Sequence, residues 1–199
     1  MPERNADLLA RYGIQTPMTR YTDAYDRKKA VRLQRLLDAL ERGDVALVSE
    51  AGMPLLSDPG YELVQAVLAR GIEMTVVSGP TAVEAALSVS GLRTAPFVFL
   101  GFAPRKTAAR EKLFAAYVDD ERTLVLYESP NRLRDTMRVA STTLGSRPVV
   151  VACELTKMYE EVWRGDLGGA FAHFDAHDPR GEYVVVVGGA RKGDHGAVE

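Results

Sequence analysis

Apolar and polar positions alternate along this chain in two periods, one near 3.6 and one near 2, and the periods take turns. Residues 26–42, DRKKAVRLQRLLDALER, carry Leu33, Leu36, Leu37 and Leu40 at i, i+3, i+4, i+7. That spacing predicts an amphipathic helix, stopped by Gly43. VALVS (45–49) then reads as a buried strand. Asp58 is the expected cap of a second helix, with Pro59 at its first position and Gly71 behind its end. IEMTVVS (72–78) reads as the next strand, and Thr81 with Glu84 forms a T-x-x-E capping signature for a helix ending before Gly91.

The pattern breaks at 92–96 and resumes with FVFLG (97–101), a basic helix at 107–118, and the strand TLVLY (123–127). Ser129 and Pro130 open a helix with Leu133, Met137, Ala140 and Leu144 on one face, closed by Gly145. PVVVAC (148–153) is a strand, YEEVWRG (159–165) a short one, 166–176 a helix, and EYVVVVGG (182–189) a last strand. Strands joined through helices predict an α/β protein: two α/β/α domains with parallel or mixed sheets. The break sets the expected boundary between an N-terminal domain, 1–94, and a C-terminal one, 95–199.

Composition narrows the classes without choosing among them. The 199 residues are 46% hydrophobic and 26% charged, enough for one large core or two small ones. Lys and Arg number 25 against 27 Asp and Glu, a net charge of −2, so basic chemistry toward nucleic acid has to be local. Cys153 is the single cysteine, which excludes an internal disulfide and suits a reducing compartment. No apolar run approaches the ~18 residues of a membrane span, and MPERNADLL has no signal-peptide core. A cytoplasmic protein is expected.

Four loops share one position. SEAGMPLLSDPG (49–60), SGPT (78–81), YESP (127–130) and CELTK (153–157) each follow the carboxyl end of an expected strand, where open α/β sheets bind ligands. Neither G-x-G-x-x-G nor G-x-x-x-x-G-K-[ST] occurs after a strand, and G-x-S-x-G is missing. His173, His177 and His195 lie far from these loops, and no Cys/His spacing suits a metal. A phosphate-free ligand held by backbone groups on stiff loops is the expectation, and no metal.

The ordered motifs VALVSEAGMPLLSDPGY, SGPTAVEAALSVSGL, FLGFAPRK, TLVLYESPNRL, ACELTKMYEEVWRGDL and RGEYVVVVGGA resemble the ribosomal small-subunit RNA cytidine 2′-O-methyltransferases of the tetrapyrrole methylase superfamily. The resemblance runs from about Leu8 to Ala190. It implies S-adenosylmethionine as methyl donor, a cofactor cleft between two α/β/α domains, ribosomal RNA as partner and a homodimer. Carried over by motif, Ala51, Gly52, Met53 and Pro54 form the first cofactor loop; Ser78, Thr81 and Ala82 the second contact; Tyr127 and Glu128 a third; Leu155 and Thr156 a fourth. Gly52 permits close backbone approach, and Pro54 and Pro59 stiffen the loop before binding.

Proton removal from a ribose hydroxyl calls for a base. Glu50, Glu128, Glu154 and Lys157 are the groups in these loops, and each can equally serve a structural ion pair. Two basic clusters are candidates for RNA: Arg105, Lys106, Arg110 and Lys112 after FLGFAP, and Arg132, Arg134 and Arg138 after YESP. A third, Arg27 to Arg35, reads as an exposed helix face.

The chain also departs from the pattern. The resemblance implies a preceding strand with a G-N-L loop and an A-E-D-T-R segment, so a sheet edge in the N-terminal domain is expected to be exposed or paired otherwise. Glu50 stands for a usual Asp, Cys153 for an Arg and Asn131 for a His; Tyr21 to Asp26 replace a polar His/Glu stretch. Two other readings stay open: methylation of a small tetrapyrrole, and a shortened non-catalytic protein that binds a partner.

Overall fold

The computed structural model describes residues 2–23 and 28–190, which form two compact units, Met1–Pro80 and Thr81–Glu199. The expected helix start at Asp26, the cation Arg27, and His195 lie outside the described residues.

The first unit contains helices α1 (Pro2–Arg11), α2 (Lys29–Leu40) and α3 (Tyr61–Leu68). The leucine stripe of α2 does what its spacing predicts: Leu33, Leu36, Leu37 and Leu40 pack with Leu63 and Val67 of α3, joined by Leu47 and Ile72. Lys29 Nζ ties the two helices through Glu62 Oε1 at 2.6 Å. α3 starts two residues later than expected, and Asp58 is not its cap. Gly60 holds the N-cap position, and its N–H donates to Asp23 Oδ2 at 2.7 Å. Only glycine fits there: φ is +139°, and a Cβ would stand 2.7 Å from Leu47 Cδ2.

The two strands expected in this unit do not form. Residues 45–49 and 72–78 belong to no ladder among the described residues, with Val76 70% and Val77 89% exposed. Apolar β-branched residues favour a strand only when a neighbouring chain pairs with them and covers a face. No such neighbour exists among the described residues of this unit.

The second unit is built on a mixed sheet of β1 (Phe97–Phe102), β2 (Thr123–Glu128), β3 (Pro148–Cys153), β4 (Glu161–Asp166) and β5 (Tyr183–Val187). Its order is β1-β2-β5-β3-β4. β1 and β2 are parallel; β5 lies antiparallel between β2 and β3, and β4 is antiparallel to β3. β1, β2 and β3 therefore run the same way and end at one edge.

Period two sorts the side chains of this sheet. Leu124, Leu126, Val149, Val151, Val185 and Val187 face a core with α5 (Thr107–Ala115), α6 (Pro130–Leu144) and α7 (Leu167–Ala176). Val125, Val150, Ala152, Val184 and Val186 face the other way, onto Val83, Ala86 and Leu87 of α4 (Ala82–Ser90). Burying such a side chain stabilises by about 1.5–3 kcal/mol. This packing also explains why the units divide after Pro80, ahead of the boundary expected at 94/95. α4 precedes the break in pattern, yet its apolar face is needed by the second unit's sheet.

Candidate functional site

Each unit places its own share of the expected site residues. In the first, the loop after residue 49 is closed on itself by Ser49, whose Oγ donates to Asp58 Oδ2 and accepts from Ala51 N at 3.2 Å. Gly52 (φ +71°) and Gly79 bring this loop against residues 78–80. A Cβ on Gly52 would lie 3.5 Å from Pro80 O, and one on Gly79 3.7 Å from Met53 Sδ. Ala51, Gly52, Met53, Pro54 and Ser78 are thus gathered, with Ala51, Gly52 and Ser78 exposed. Glu50, also exposed, stands at the start of the same loop.

Thr81 and Ala82 belong to the second unit. Thr81 adopts extended backbone and its Oγ1 accepts from Glu84 N at 3.3 Å, as the capping signature predicts. Tyr127, half-buried near the end of β2, stands edge-on to Phe99 at 4.9 Å and beside Phe102 at 5.7 Å between ring centroids. A bulge in β1 between Phe99 and Phe102 lets both rings reach it.

Glu128, next along, is 2% exposed and fully engaged. Oε1 accepts from Ser129 N at 2.9 Å, Oε2 from Thr136 Oγ1 at 2.6 Å, and Arg132 Nε lies 3.5 Å away. Arg132 Nη2 also donates to Ala103 O, so one carboxylate fixes the start of α6 and, through Arg132, the end of β1. Enclosed and hydrogen-bonded in this way, Glu128 has an architectural task and is poorly placed to collect a proton from substrate. The sequence alone missed Thr136. Its signal was present: a polar residue beside Met137 on the otherwise apolar face of α6.

The CELTK loop is held by charge. Lys157 Nζ donates to Glu154 Oε1 at 3.1 Å and to Glu182 Oε2 at 2.8 Å, while Glu182 N donates to Glu154 Oε1 at 2.8 Å. The Glu182 hydrogen bond, and then that of Glu154, outweigh partial burial and push the Lys157 ammonium above its ordinary pKa. Lys157 is a fixed cation near neutral pH and does not accept a proton. Glu154 (φ +46°) and Thr156 (φ +66°) take left-handed backbone, and Thr156 N donates to Glu160 Oε2 at 2.6 Å. Leu155 packs beneath them on the α4 side of the sheet.

The basic candidates divide sharply. Arg105 and Lys106 are exposed between β1 and α5. Arg110 is not a surface cation: it is 2% exposed, and its Nε donates to Pro104 O at 3.2 Å. Arg134 caps the end of α7, donating to Phe174 O at 2.9 Å and His177 O at 3.0 Å. Lys112 and Arg138 are exposed, and Arg138 pairs with Asp135 at 3.4 Å. Spacing reports which residues share a helix face; it does not report which guanidinium is already spent on carbonyl oxygens.

Both units therefore offer backbone-rich loops: glycines at close approach in one, left-handed turns and a half-buried tyrosine in the other. Neither contains a glycine-rich phosphate cradle, and no group of His, Cys, Asp or Glu among the described residues is arranged for a metal ion. In each unit, N–H and C=O groups on stiff turns are available to a ligand that carries no phosphate.

Comparison with known proteins agrees. Residues 2–170 match the family model described as Tetrapyrrole (Corrin/Porphyrin) Methylases, and the chain belongs to that family, whose cofactor is S-adenosylmethionine. It is 44% identical over 94% of its length to the Ribosomal RNA small subunit methyltransferase I of a Synechocystis species, and spans 67% of that protein. It is 39% identical to the protein of the same name from Thermotoga maritima (94% of this chain, 82% of that one). Against the Mycobacterium tuberculosis protein of that name the identity is 46% over 86% of this chain, which spans 60% of its relative. Among solved structures, the methyltransferase CobJ superposes with a TM-score of 0.64 at 21% identity, covering 96% of this chain and 88% of CobJ. Diphthine synthase gives 0.65 at 12%, covering 92% and 73%. These likenesses support the fold.

Proposed function

We propose that this chain transfers the methyl group of S-adenosylmethionine to the 2′-hydroxyl of a cytidine ribose in small-subunit ribosomal RNA, acting as a cytoplasmic homodimer. The observation that carries the reading is identity of 39–46% with proteins named as small-subunit ribosomal RNA methyltransferases. The gathered loops and the exposed pair Arg105 and Lys106 are consistent with it. No helix of the described residues is long and apolar enough to cross a membrane.

When bound, the cofactor supplies an electrophilic methyl group on a positively charged sulfur. The chain's residues supply position. Ala51 to Pro54 and Ser78 are the proposed contacts of the first unit, and Thr81, Ala82, Tyr127, Leu155 and Thr156 those of the second. Alignment of large, pinned reactants accounts for much of the rate in such a displacement. Lys157 and Glu128 are committed to structure, and Glu154 is held by Lys157. Glu50, exposed beside the Ala51–Pro54 loop, is the carboxylate assigned to take the hydroxyl proton.

The decisive assay incubates the chain with methyl-labelled S-adenosylmethionine and a small-subunit ribosomal RNA fragment. Nucleoside digestion should release labelled 2′-O-methylcytidine, and label in no nucleoside would end the proposal. In the same assay Glu50→Gln should lower kcat by about 10²–10⁴-fold with cofactor affinity kept, the range of general-base loss. An unchanged kcat would remove Glu50 from the role.

A further inference from the structure

Strand β1 reads FVFLGF. Strict period two would send Phe97, Phe99 and Gly101 to one face of the sheet, and Val98, Leu100 and Phe102 to the other. The first four residues obey. Val98 and Leu100 pack on the core that holds Phe114 of α5 and Leu133 of α6, while Phe99 packs on the α4 side with Tyr127 and Leu155. Phe102 does not obey. Phe99 pairs with Val125 and Phe102 with Tyr127, so three steps along β1 match two along β2. Gly101, at φ +64°, stands inside this bulge in the left-handed backbone that glycine adopts most cheaply.

The extra residue exchanges two side chains. Ala103 takes the helix-covered face and is 2% exposed, while Phe102 is turned to the α4 side beside Tyr127 and stays 50% exposed. Its ring is backed: Tyr127 stands 5.7 Å from it between centroids and is itself held edge-on by Phe99 at 4.9 Å. About half of a large apolar side chain is thus kept in water, on a strand whose regular pleat leads to a covered face. Bulges that re-aim a side chain in this way recur next to active sites. The α4 side here also carries Tyr127 and Leu155, the second unit's proposed cofactor contacts. Arg105 and Lys106, three and four residues further on, are exposed. A backed aromatic face followed by cations matches the chemistry of one nucleotide: a flat base with phosphates on either side.

We propose that Phe102, backed by Tyr127, is the stacking platform for the base of the cytidine whose ribose is methylated. This rests on the reading of the chain as an RNA methyltransferase, and it gives that substrate a point of attachment beside the cofactor contacts. A base laid on Phe102 restrains the ribose attached to it, and such restraint is what in-line transfer to a hydroxyl needs. Stacking is tolerant of sequence because every base has a π-face. Phe102 therefore supplies position, and the choice of cytidine falls to other groups.

The test measures binding of a small-subunit ribosomal RNA fragment to the full chain, with one abasic ribose placed at each position in turn. Wild type should lose about fivefold or more in affinity at the methylated cytidine, the size of one base stacked on an aromatic ring. Phe102→Leu keeps an apolar side chain against Tyr127 at a half-exposed position. It should lose as much on the intact strand and no more when that base is absent, whereas Phe102→Tyr should match wild type. Affinity for S-adenosylmethionine should be equal in all three proteins. Equal binding of the intact strand by wild type and Phe102→Leu overturns the platform, and so do losses that simply add. Weaker cofactor binding in Phe102→Leu, with RNA affinity kept, gives the ring to the cofactor and overturns it too. Coupling to a neighbouring base overturns the assignment to the acceptor nucleotide. In each of these cases methylation of RNA by wild type leaves the methyltransferase reading standing. Coupling of Phe102 to one base, with no methyl transfer by wild type, would reject that reading and keep Phe102 as a base-binding residue.

Discussion

Val77 and Val185 make an instructive pair. Both sit in runs rich in valine, TVV in one unit and YVVVV in the other, and both runs read as strands. Val185 is at the centre of β5, bonded on one side to β2 and on the other to β3, and is fully buried. Val77 is 89% exposed in a segment with no ladder among the described residues. Local preference for extended backbone is worth little until neighbouring chains take up the N–H and C=O groups and helices cover the faces. The second unit satisfies both conditions; the described part of the first satisfies neither, and its core is the small contact of α2 with α3.

The largest measurable contrast is in truncation of the core. Leu126→Ala, at a position 1% exposed, should cost about 2–5 kcal/mol. Trp163 is the chain's one tryptophan and stacks on His173, so urea unfolding followed by its fluorescence reports on the second unit directly. A loss below about 1 kcal/mol would mean that the sheet is not the stable part of the molecule. Next comes Thr136→Val, which deprives the buried Glu128 carboxylate of a donor and should cost about 1–3 kcal/mol by the same probe. No change would detach Glu128 from the architecture and return it to the candidates for catalysis.

A smaller effect separates charge from packing. The Lys157 pKa is raised on folding, so its contribution to stability is complete below the ordinary value of 10.5 and is lost as pH climbs through the raised one. Wild type should lose stability relative to Lys157→Gln as pH rises above the ordinary value of 10.5, with parallel behaviour below it. Identical slopes for the two proteins would show that the ion pairs with Glu154 and Glu182 do not hold the loop. The smallest effect is Val77→Ser, expected within about 0.5 kcal/mol of wild type in global unfolding. A loss near that of Leu126→Ala would show that residues 72–78 are covered in solution and would dissolve the contrast.

Parts of the local geometry were legible before any coordinates. The T-x-x-E signature located the Thr81 cap, and the SEAGMPLLSDPG and SGPT motifs located two loops that meet within the first unit. Period two along β2, β3 and β5 located the faces of the sheet. Arg110 and Arg134 were not legible as they are. Helical spacing shows that a cation is present, while its partners, Pro104 O in one case and Phe174 O with His177 O in the other, come from separate segments. The Asp58 cap failed for a related reason: Ser49 across the loop engages its carboxylate, and Asp23 takes the Gly60 N–H.

By itself the sequence determined the helices with a continuous apolar stripe, the faces of the paired strands and the chemistry of the loops, because these follow from neighbours a few residues apart. Tertiary structure alone decided which valine runs became strands, which side of the 92–96 break α4 serves and which arginines are bonded to backbone carbonyls. Ladder bonds, burial and the spending of a guanidinium all depend on groups far away along the chain, and no local pattern encodes whether those groups arrive.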